Sequence, residues 1–65
     1  MRILVNGVWR ETVSGELAAT LEELGYGGRS VSTAVNGEFV AAEARVRTAL
    51  ADGDRVEVLA PMQGG

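Results

Sequence analysis

The sequence of 65 residues contains no cysteine and no histidine. Disulfide bridges, thiolate metal sites and imidazole catalysis are therefore excluded. All six basic residues are arginines, so the only amine in the sequence is that of the first residue. Tryptophan, tyrosine and phenylalanine occur once each, whereas 46% of the residues are hydrophobic. The fold must therefore rest on ordinary aliphatic packing in one small domain.

The charge balance and the short apolar runs argue against a nucleic-acid-binding protein and against a membrane protein. A net charge of −3, with the basic residues scattered, gives no positive surface for a phosphate backbone. We therefore expect no nucleic-acid partner. No apolar run is long enough to cross a membrane, and no export signal is visible, so we expect no membrane partner and a cytoplasmic location. The acidic candidates for catalysis, Asp52, Asp54 and Glu57, fit a turn and a strand edge better, so we expect no catalytic residue, metal site or cofactor in this chain.

The first half of the sequence predicts a hairpin followed by a helix. Asn6-Gly7, a strong signal for a two-residue turn, separates β-rich runs at 2–5 and 8–13. Ser14 is placed to cap a helix, and Gly25 to end it in a left-handed conformation. Between them, one apolar stripe is formed by Leu17, Leu21 and Leu24.

The second half predicts more strands. Asn36-Gly37 joins strands at 31–35 and 39–40, residues 41–50 suggest one or two helical turns, and 55–59 forms the last strand. A ββαββ(β) order predicts an α+β fold of the β-grasp type, in which a mixed sheet of four or five strands packs on one helix. We expect residues 1–60 to form this domain and residues 61–65 to be a flexible tail.

Alternation along the strands predicts which side chains meet the helix. The expected inward set is Ile3, Val5, Val31, Val35, Val56 and Val58. Leu4, Ala34 and Leu59 are then left on the opposite face, with Met62 as a further candidate. They are either scattered surface residues or a partner-docking patch beside the tail. A tight turn at Asn6-Gly7 places Trp9 opposite Leu4 on this outer face, whereas a bulge would turn Trp9 into the core.

The sequence closes on Gly64-Gly65, which form a thread without side chains. Such a thread can enter a channel that any Cβ would block. It suits a protein whose reactive group is a terminal carboxylate, although a frayed terminus also tolerates glycine.

The motifs together resemble the ubiquitin-like sulfur carrier proteins of the ThiS/MoaD superfamily, and within it the thiamine-pathway ThiS family. The resemblance spans the whole chain. It is carried by Val5-Asn6-Gly7, by Ala34-Val35-Asn36-Gly37-Glu38, and by Leu50-x-Asp52-Gly53-Asp54-x-Val56-Glu57-Val58 leading to Met62-Gln63-Gly64-Gly65.

The resemblance implies a ubiquitin-like fold and a role as a protein cosubstrate. An E1-like adenylyltransferase that uses ATP and magnesium would convert the Gly65 carboxylate to an acyl adenylate, with Met62, Gln63 and Gly64 forming the inserted tail. A persulfide sulfur donor would then give a Gly65 thiocarboxylate, which donates sulfur to a thiazole synthase in thiamine biosynthesis. The free carrier is expected to be a monomer.

Two kinds of alternative stay open at the level of the sequence. Within the superfamily, the chain could be the small subunit of molybdopterin synthase or a carrier for another sulfur acceptor. From a different class, it could be a ubiquitin-like protein modifier or interaction module.

Overall fold

The computed structural model describes residues 1–60. Within them the chain forms five strands, one α-helix and one 3₁₀ helix. In chain order these are β1 (Arg2–Val5), β2 (Val8–Glu11), α1 (Leu17–Glu23), β3 (Ser32–Val35), β4 (Glu38–Val40), the 3₁₀ helix (Ala42–Arg47) and β5 (Arg55–Leu59). Neither helix in this part of the chain is long and apolar enough to span a membrane. The predicted tail, residues 61–65, lies outside the described residues.

The strands form one mixed sheet in the order β2-β1-β5-β3-β4. The last strand, β5, lies in the centre, parallel to β1 and antiparallel to β3. Both hairpins extend the sheet outward, because β2 pairs with β1 and β4 pairs with β3. One helix packed on such a sheet confirms the predicted α+β fold of the β-grasp type.

The two Asn-Gly pairs form tight two-residue turns, as predicted. Asn6 and Gly7 both have positive φ, 49° and 83°, which is the requirement of a type I′ turn. Asn36 and Gly37 repeat this geometry at 51° and 86°. In the first hairpin Leu4 pairs with Trp9, so the tight register is confirmed. Trp9 is on the outer face, half exposed.

The predicted cap of α1 is wrong by two residues. Glu16, rather than Ser14, is the N-cap, and its Oε1 accepts a hydrogen bond of 3.1 Å from the Ala19 amide. The backbone of Ser14 is used elsewhere: its N–H donates to Glu23, and its carbonyl accepts from the Thr20 hydroxyl. Ser14 thus belongs to the loop that packs along the helix.

The end of α1 follows the prediction. Gly25 has a φ of 95° and donates its N–H to the Glu22 carbonyl at 3.1 Å. Tyr26 donates to the Leu21 carbonyl at 2.8 Å. These two bonds form a Schellman motif, which satisfies carbonyls that the last helical turn would leave unpaired.

The core lies between α1 and the inner face of the sheet. Its buried aliphatic side chains are Ile3, Val5, Leu17, Leu21, Leu50, Val56 and Val58. All but Leu50 belong to the predicted inward set or helical stripe. The remaining predicted members, Leu24, Val31 and Val35, pack at its margin and are partly buried.

Thr33 is buried in the core, and its hydroxyl group is hydrogen-bonded there. It donates to the Val40 carbonyl at 2.9 Å and accepts from Arg45 Nε at 3.0 Å. Arg45 Nη2 also donates to the Val31 carbonyl at 2.6 Å. The half-buried arginine thereby fastens the 3₁₀ helix to β3.

Truncation of Leu21 tests this core. We expect Leu21→Ala to lower the free energy of unfolding by about 2–5 kcal/mol, because the side chain is buried and leaves a cavity. Urea unfolding gives the measurement. Val13→Ala is the control, since Val13 is 90% exposed and should change stability little. In so small a domain Leu21→Ala can prevent folding altogether, so Ile3→Val, with an expected loss of about 0.5–1.5 kcal/mol, supplies a milder truncation. Equal effects for the buried and exposed sites would contradict the packing.

Glu23 ties the loop before α1 to the helix and makes part of the stability depend on pH. Its carboxylate accepts hydrogen bonds from the Val13 amide at 2.9 Å and the Ser14 amide at 3.2 Å. The Val13 bond has the largest effect and lowers the pKa of Glu23 below its ordinary value of 4.5; desolvation comes next and raises it, and the weaker Ser14 bonds lower it further.

A lowered pKa in the folded state means that the unfolded chain takes up the proton first as the pH falls. The stabilisation by Glu23 is therefore complete above 4.5 and is lost as the pH falls through the lower folded value. We expect the wild type to be more stable than Glu23→Gln at neutral pH. The difference in their free energies of unfolding should disappear as the pH falls below 4.5. Urea unfolding over this pH range measures it. Glu22→Gln removes a charge from the adjacent position without breaking these bonds. The difference in stability between the wild type and Glu22→Gln should therefore change less with pH. An equal change for both variants would count against a role of these hydrogen bonds.

Candidate functional site

The outer face of the sheet, opposite α1, carries every predicted docking residue that the structure describes. Alternation and register place the following side chains on it: Glu11 and Trp9 of β2, Arg2 and Leu4 of β1, Arg55, Glu57 and Leu59 of β5, Ser32 and Ala34 of β3, and Phe39 of β4. Leu4, Ala34 and Leu59 are therefore on one face, as predicted.

An apolar group, here called the β5-end patch, consists of Ala34, Phe39 and Leu59. Phe39 pairs with Ala34 across β3 and β4, and Leu59 comes from the end of β5. These three side chains, together with Ser32, Thr33 and Glu57, line a shallow open depression of about 100 Å³. Phe39 is 73% exposed and Leu59 is 68% exposed. Two such exposed apolar side chains beside a common depression make this group a candidate protein contact site.

Leu4 belongs to a different apolar group on the same face. It pairs with Trp9, and the Arg2 guanidinium carbon lies 4.7 Å from the centre of the Trp9 ring, within the range of a cation–π contact. The charged side chains of Arg55 and Glu57 on β5 lie between this group and the β5-end patch. The structure thus brings Ala34 and Leu59 together and keeps Leu4 apart from them.

Phe39 was not among the predicted docking residues. The signal was in the sequence: a two-residue turn at Asn36-Gly37 pairs Val35 with Glu38, and therefore Ala34 with Phe39. Applying to the second hairpin the register argument used for Trp9 would have found it.

The central strand that carries Leu59 is held by the asparagine of each hairpin turn. At its start, Asn36 Oδ1 accepts from the Arg55 amide at 3.0 Å, and Asn36 Nδ2 donates to Asp54 Oδ1 at 3.1 Å. Near its end, Asn6 Oδ1 accepts from the Val58 amide at 2.8 Å, and Asn6 Nδ2 donates to the Val58 carbonyl at 3.0 Å. Both ends of β5 are therefore fixed by side chains as well as by neighbouring strands.

The two aspartates before β5 build its entry turn. Asp52 Oδ1 accepts from the Arg2 amide at 2.6 Å, and Asp54 Oδ2 accepts from the Ala51 amide at 2.8 Å. These carboxylates thus serve the turn, as the sequence suggested. In residues 1–60 no three acidic side chains come together as a cation site.

The remaining predicted site residues are Met62, Gln63, Gly64 and Gly65, and all four lie outside the described residues. The described part of the chain leads to them through Leu59 and Ala60. The candidate site therefore consists of the β5-end patch and the segment that follows it.

Residues 3–65 match the model of the ThiS family. The chain belongs to the ThiS family. The match includes Gly64 and Gly65, so it extends past the described domain.

Two solved structures are similar over the whole chain. One is the crystal structure of the thiamine biosynthesis protein ThiS from Geobacter metallireducens, 36% identical, with a TM-score of 0.79 and 100% of both chains covered. The other is the NMR solution structure of a thiamine biosynthesis protein from the same organism, also 36% identical, with a TM-score of 0.75 and coverage of 100% of this chain and 88% of that one. No curated protein sequence matches. The family and these structures confirm a ThiS-like sulfur carrier with the ubiquitin-like β-grasp fold.

Proposed function

We propose that this ThiS-family chain carries sulfur as a thiocarboxylate on Gly65 and donates it for synthesis of the thiamine thiazole. An E1-like adenylyltransferase activates the carboxylate, a persulfide donor supplies the sulfur, and a thiazole synthase receives it. The chain is a cosubstrate of these enzymes rather than an enzyme. The observation that carries the proposal is the family match over residues 3–65, which joins the β-grasp domain to the Gly-Gly segment.

The chemistry requires activation because a carboxylate resists nucleophiles at neutral pH. An oxygen of the Gly65 carboxylate attacks the α-phosphorus of ATP, pyrophosphate leaves, and an acyl adenylate forms. The partner binds the ATP and the magnesium that neutralises its phosphates. The terminal sulfur of a persulfide then attacks the acyl carbon and AMP leaves.

Release of the thiocarboxylate from the resulting acyl disulfide needs a thiol to cleave the S–S bond. This chain has no cysteine. The partner proteins must therefore supply both the sulfur and the thiol, and they retain the disulfide that results.

The composition of the tail fits a reaction inside another protein's nucleotide site. The adenylate must be shielded from water, so the reacting end has to enter a narrow passage, and Gly64 and Gly65 present no side chain to obstruct it. The six residues beyond Leu59 span about 20 Å when extended. A partner docked on the β5-end patch must therefore hold its nucleotide within about that distance of the patch.

The position of the carboxylate is the first test. We expect deletion of Gly65, or addition of one residue after it, to abolish thiocarboxylate formation while the domain stays folded. One residue moves the carboxylate by about 3.3 Å, which is as large as a near-attack distance. The assay incubates carrier with the cognate adenylyltransferase, ATP, magnesium and a sulfur donor, and intact mass shows the exchange of oxygen for sulfur. Loading of the chain without Gly65 at the wild-type rate would overturn the proposal.

The β5-end patch supplies the second test. We expect Leu59→Glu to raise the KM for the carrier in adenylation by about tenfold or more, because it places a charge in an apolar contact. Saturating carrier should restore most of kcat, since the reacting tail is intact. Val46→Glu is the matched control: Val46 is 64% exposed but belongs to the 3₁₀ helix, away from the outer face. If both variants raise KM equally, the patch is not the docking surface.

A further inference from the structure

The asparagine of the first hairpin turn has a role that turn formation does not require. A residue at φ 49° is strained unless it is glycine or a short polar residue such as asparagine. Glycine would satisfy the turn. Asn6 adds a side-chain amide, and both of its polar atoms contact the backbone of Val58, which is 52 positions later in the chain.

This contact continues the pairing of β1 with β5 beyond the point where β1 turns away. The Leu4 amide donates to the Asp54 carbonyl at 2.9 Å, and the Asn6 amide donates to the Val56 carbonyl at 3.0 Å. The next carbonyl on that side of β5 belongs to Val58. There the chain has already turned at Gly7, and the Asn6 side chain donates instead, at 3.0 Å.

The Val58 amide is satisfied by the same group. Asn6 Oδ1 accepts from it at 2.8 Å, so one side-chain amide stands in for a whole peptide unit of β1. The bonds anchor β5 one residue before Leu59 and two before Ala60. They hold the side of β5 that faces β1, while β3 pairs with the other side as far as Leu59.

We infer that Asn6 is a positioning residue for the reacting tail, an inference that rests on the proposed function. Asn6 holds the end of β5 so that Leu59 stays in the β5-end patch and the following segment starts in a fixed direction. Without the side chain, the end of β5 keeps only its pairing with β3, where Val58 pairs with Thr33 and Leu59 with Ser32, and more of its ordering has to be completed on the partner. The ordering free energy of a single backbone residue corresponds to about a tenfold loss in rate.

The second hairpin provides a matched control within the same chain. Asn36 has nearly the same φ, 51°, precedes a glycine, and also binds β5 through its side-chain amide. Its partners, Asp54 and Arg55, are at the start of β5, away from the tail. Asn6→Gly and Asn36→Gly therefore remove the same group from the same kind of turn at opposite ends of one strand.

The experiment compares these two variants with the wild type in thiocarboxylate formation by the cognate adenylyltransferase, and in amide hydrogen exchange of the free carrier. We expect Asn6→Gly to lower kcat about tenfold with a smaller change in KM, and Asn36→Gly to keep a kcat close to the wild type. Exchange at the Val58 amide should accelerate in Asn6→Gly alone. Should Asn6→Gly fail to fold, Asn6→Asp keeps the turn and the acceptor for the Val58 amide but puts a carboxylate oxygen, in place of the donor, against the Val58 carbonyl. It should then lower kcat in the same direction as Asn6→Gly.

Equal losses of kcat in the two glycine variants would reduce Asn6 to a stabilising residue and overturn the inference. An unchanged rate of hydrogen exchange at the Val58 amide in Asn6→Gly would overturn the inference as well, whatever its rate of thiocarboxylate formation. If the wild type and the chain without Gly65 behave alike in the assay, the proposed function itself fails, and the exchange result distinguishes that outcome from a failure of the positioning role.

Discussion

The fold depends on the insertion of the last strand between the first and the third. β5 pairs with β1 on one side and β3 on the other, and it contributes two fully inward side chains, Val56 and Val58, to the core. Until it is in place, the two hairpins are separate two-stranded units, and such units are marginally stable in water. The segment nearest the proposed reacting group is therefore also the segment that completes the sheet.

This arrangement creates a problem at the ends of the central strand, because one neighbour turns away at each end: β3 at its start and β1 near its end. Both β1 and β3 end in an Asn-Gly turn, and each turn has its asparagine beside β5. Backbone groups that lose a strand partner are costly when they are withdrawn from water. In each turn, the residue that makes the reversal possible also supplies the missing hydrogen bonds. Asn6 and Asn36 therefore join local turn chemistry to the long-range order of the sheet.

Much of this architecture could be predicted from local pattern. A tight turn at Asn6-Gly7 predicted Trp9 on the outer face, with a bulge as the open alternative, and the helical stripe with strand alternation identified most of the core. The start of α1 was predicted at Ser14 and lies at Glu16, because the Ser14 backbone is engaged by Thr20 and Glu23 of the helix. Burial of Thr33 depends on Arg45, which comes from a segment without a clear pattern. Neither feature is set by the local pattern alone, because each depends on a side chain outside its own segment.

Some features of the candidate site could likewise be predicted from local pattern, and others could not. The outward position of Leu59 and Ala34 followed from alternation, whereas their separation from Leu4 follows from strand order. Alternation gives the face of each residue but not the neighbour of each strand, and only the central position of β5 puts Arg55 and Glu57 between the two apolar groups. The bond between Asn6 and Val58 was likewise beyond local pattern, because it requires β1 and β5 to be adjacent and parallel.

In the proposed function, docking and reaction are linked by covalent geometry. Leu59 is both a member of the β5-end patch and six residues before Gly65, so a partner bound to the patch would find the carboxylate within about 20 Å along the chain. A change in the patch would then alter how often the carrier binds, whereas a change in the length of the tail would alter where the carboxylate arrives. A change at the end of β5 would lie between these two, because it alters the point from which the tail is measured. If the proposal holds, the rigidity of one hydrogen-bonded residue, Val58, bears on chemistry seven residues away.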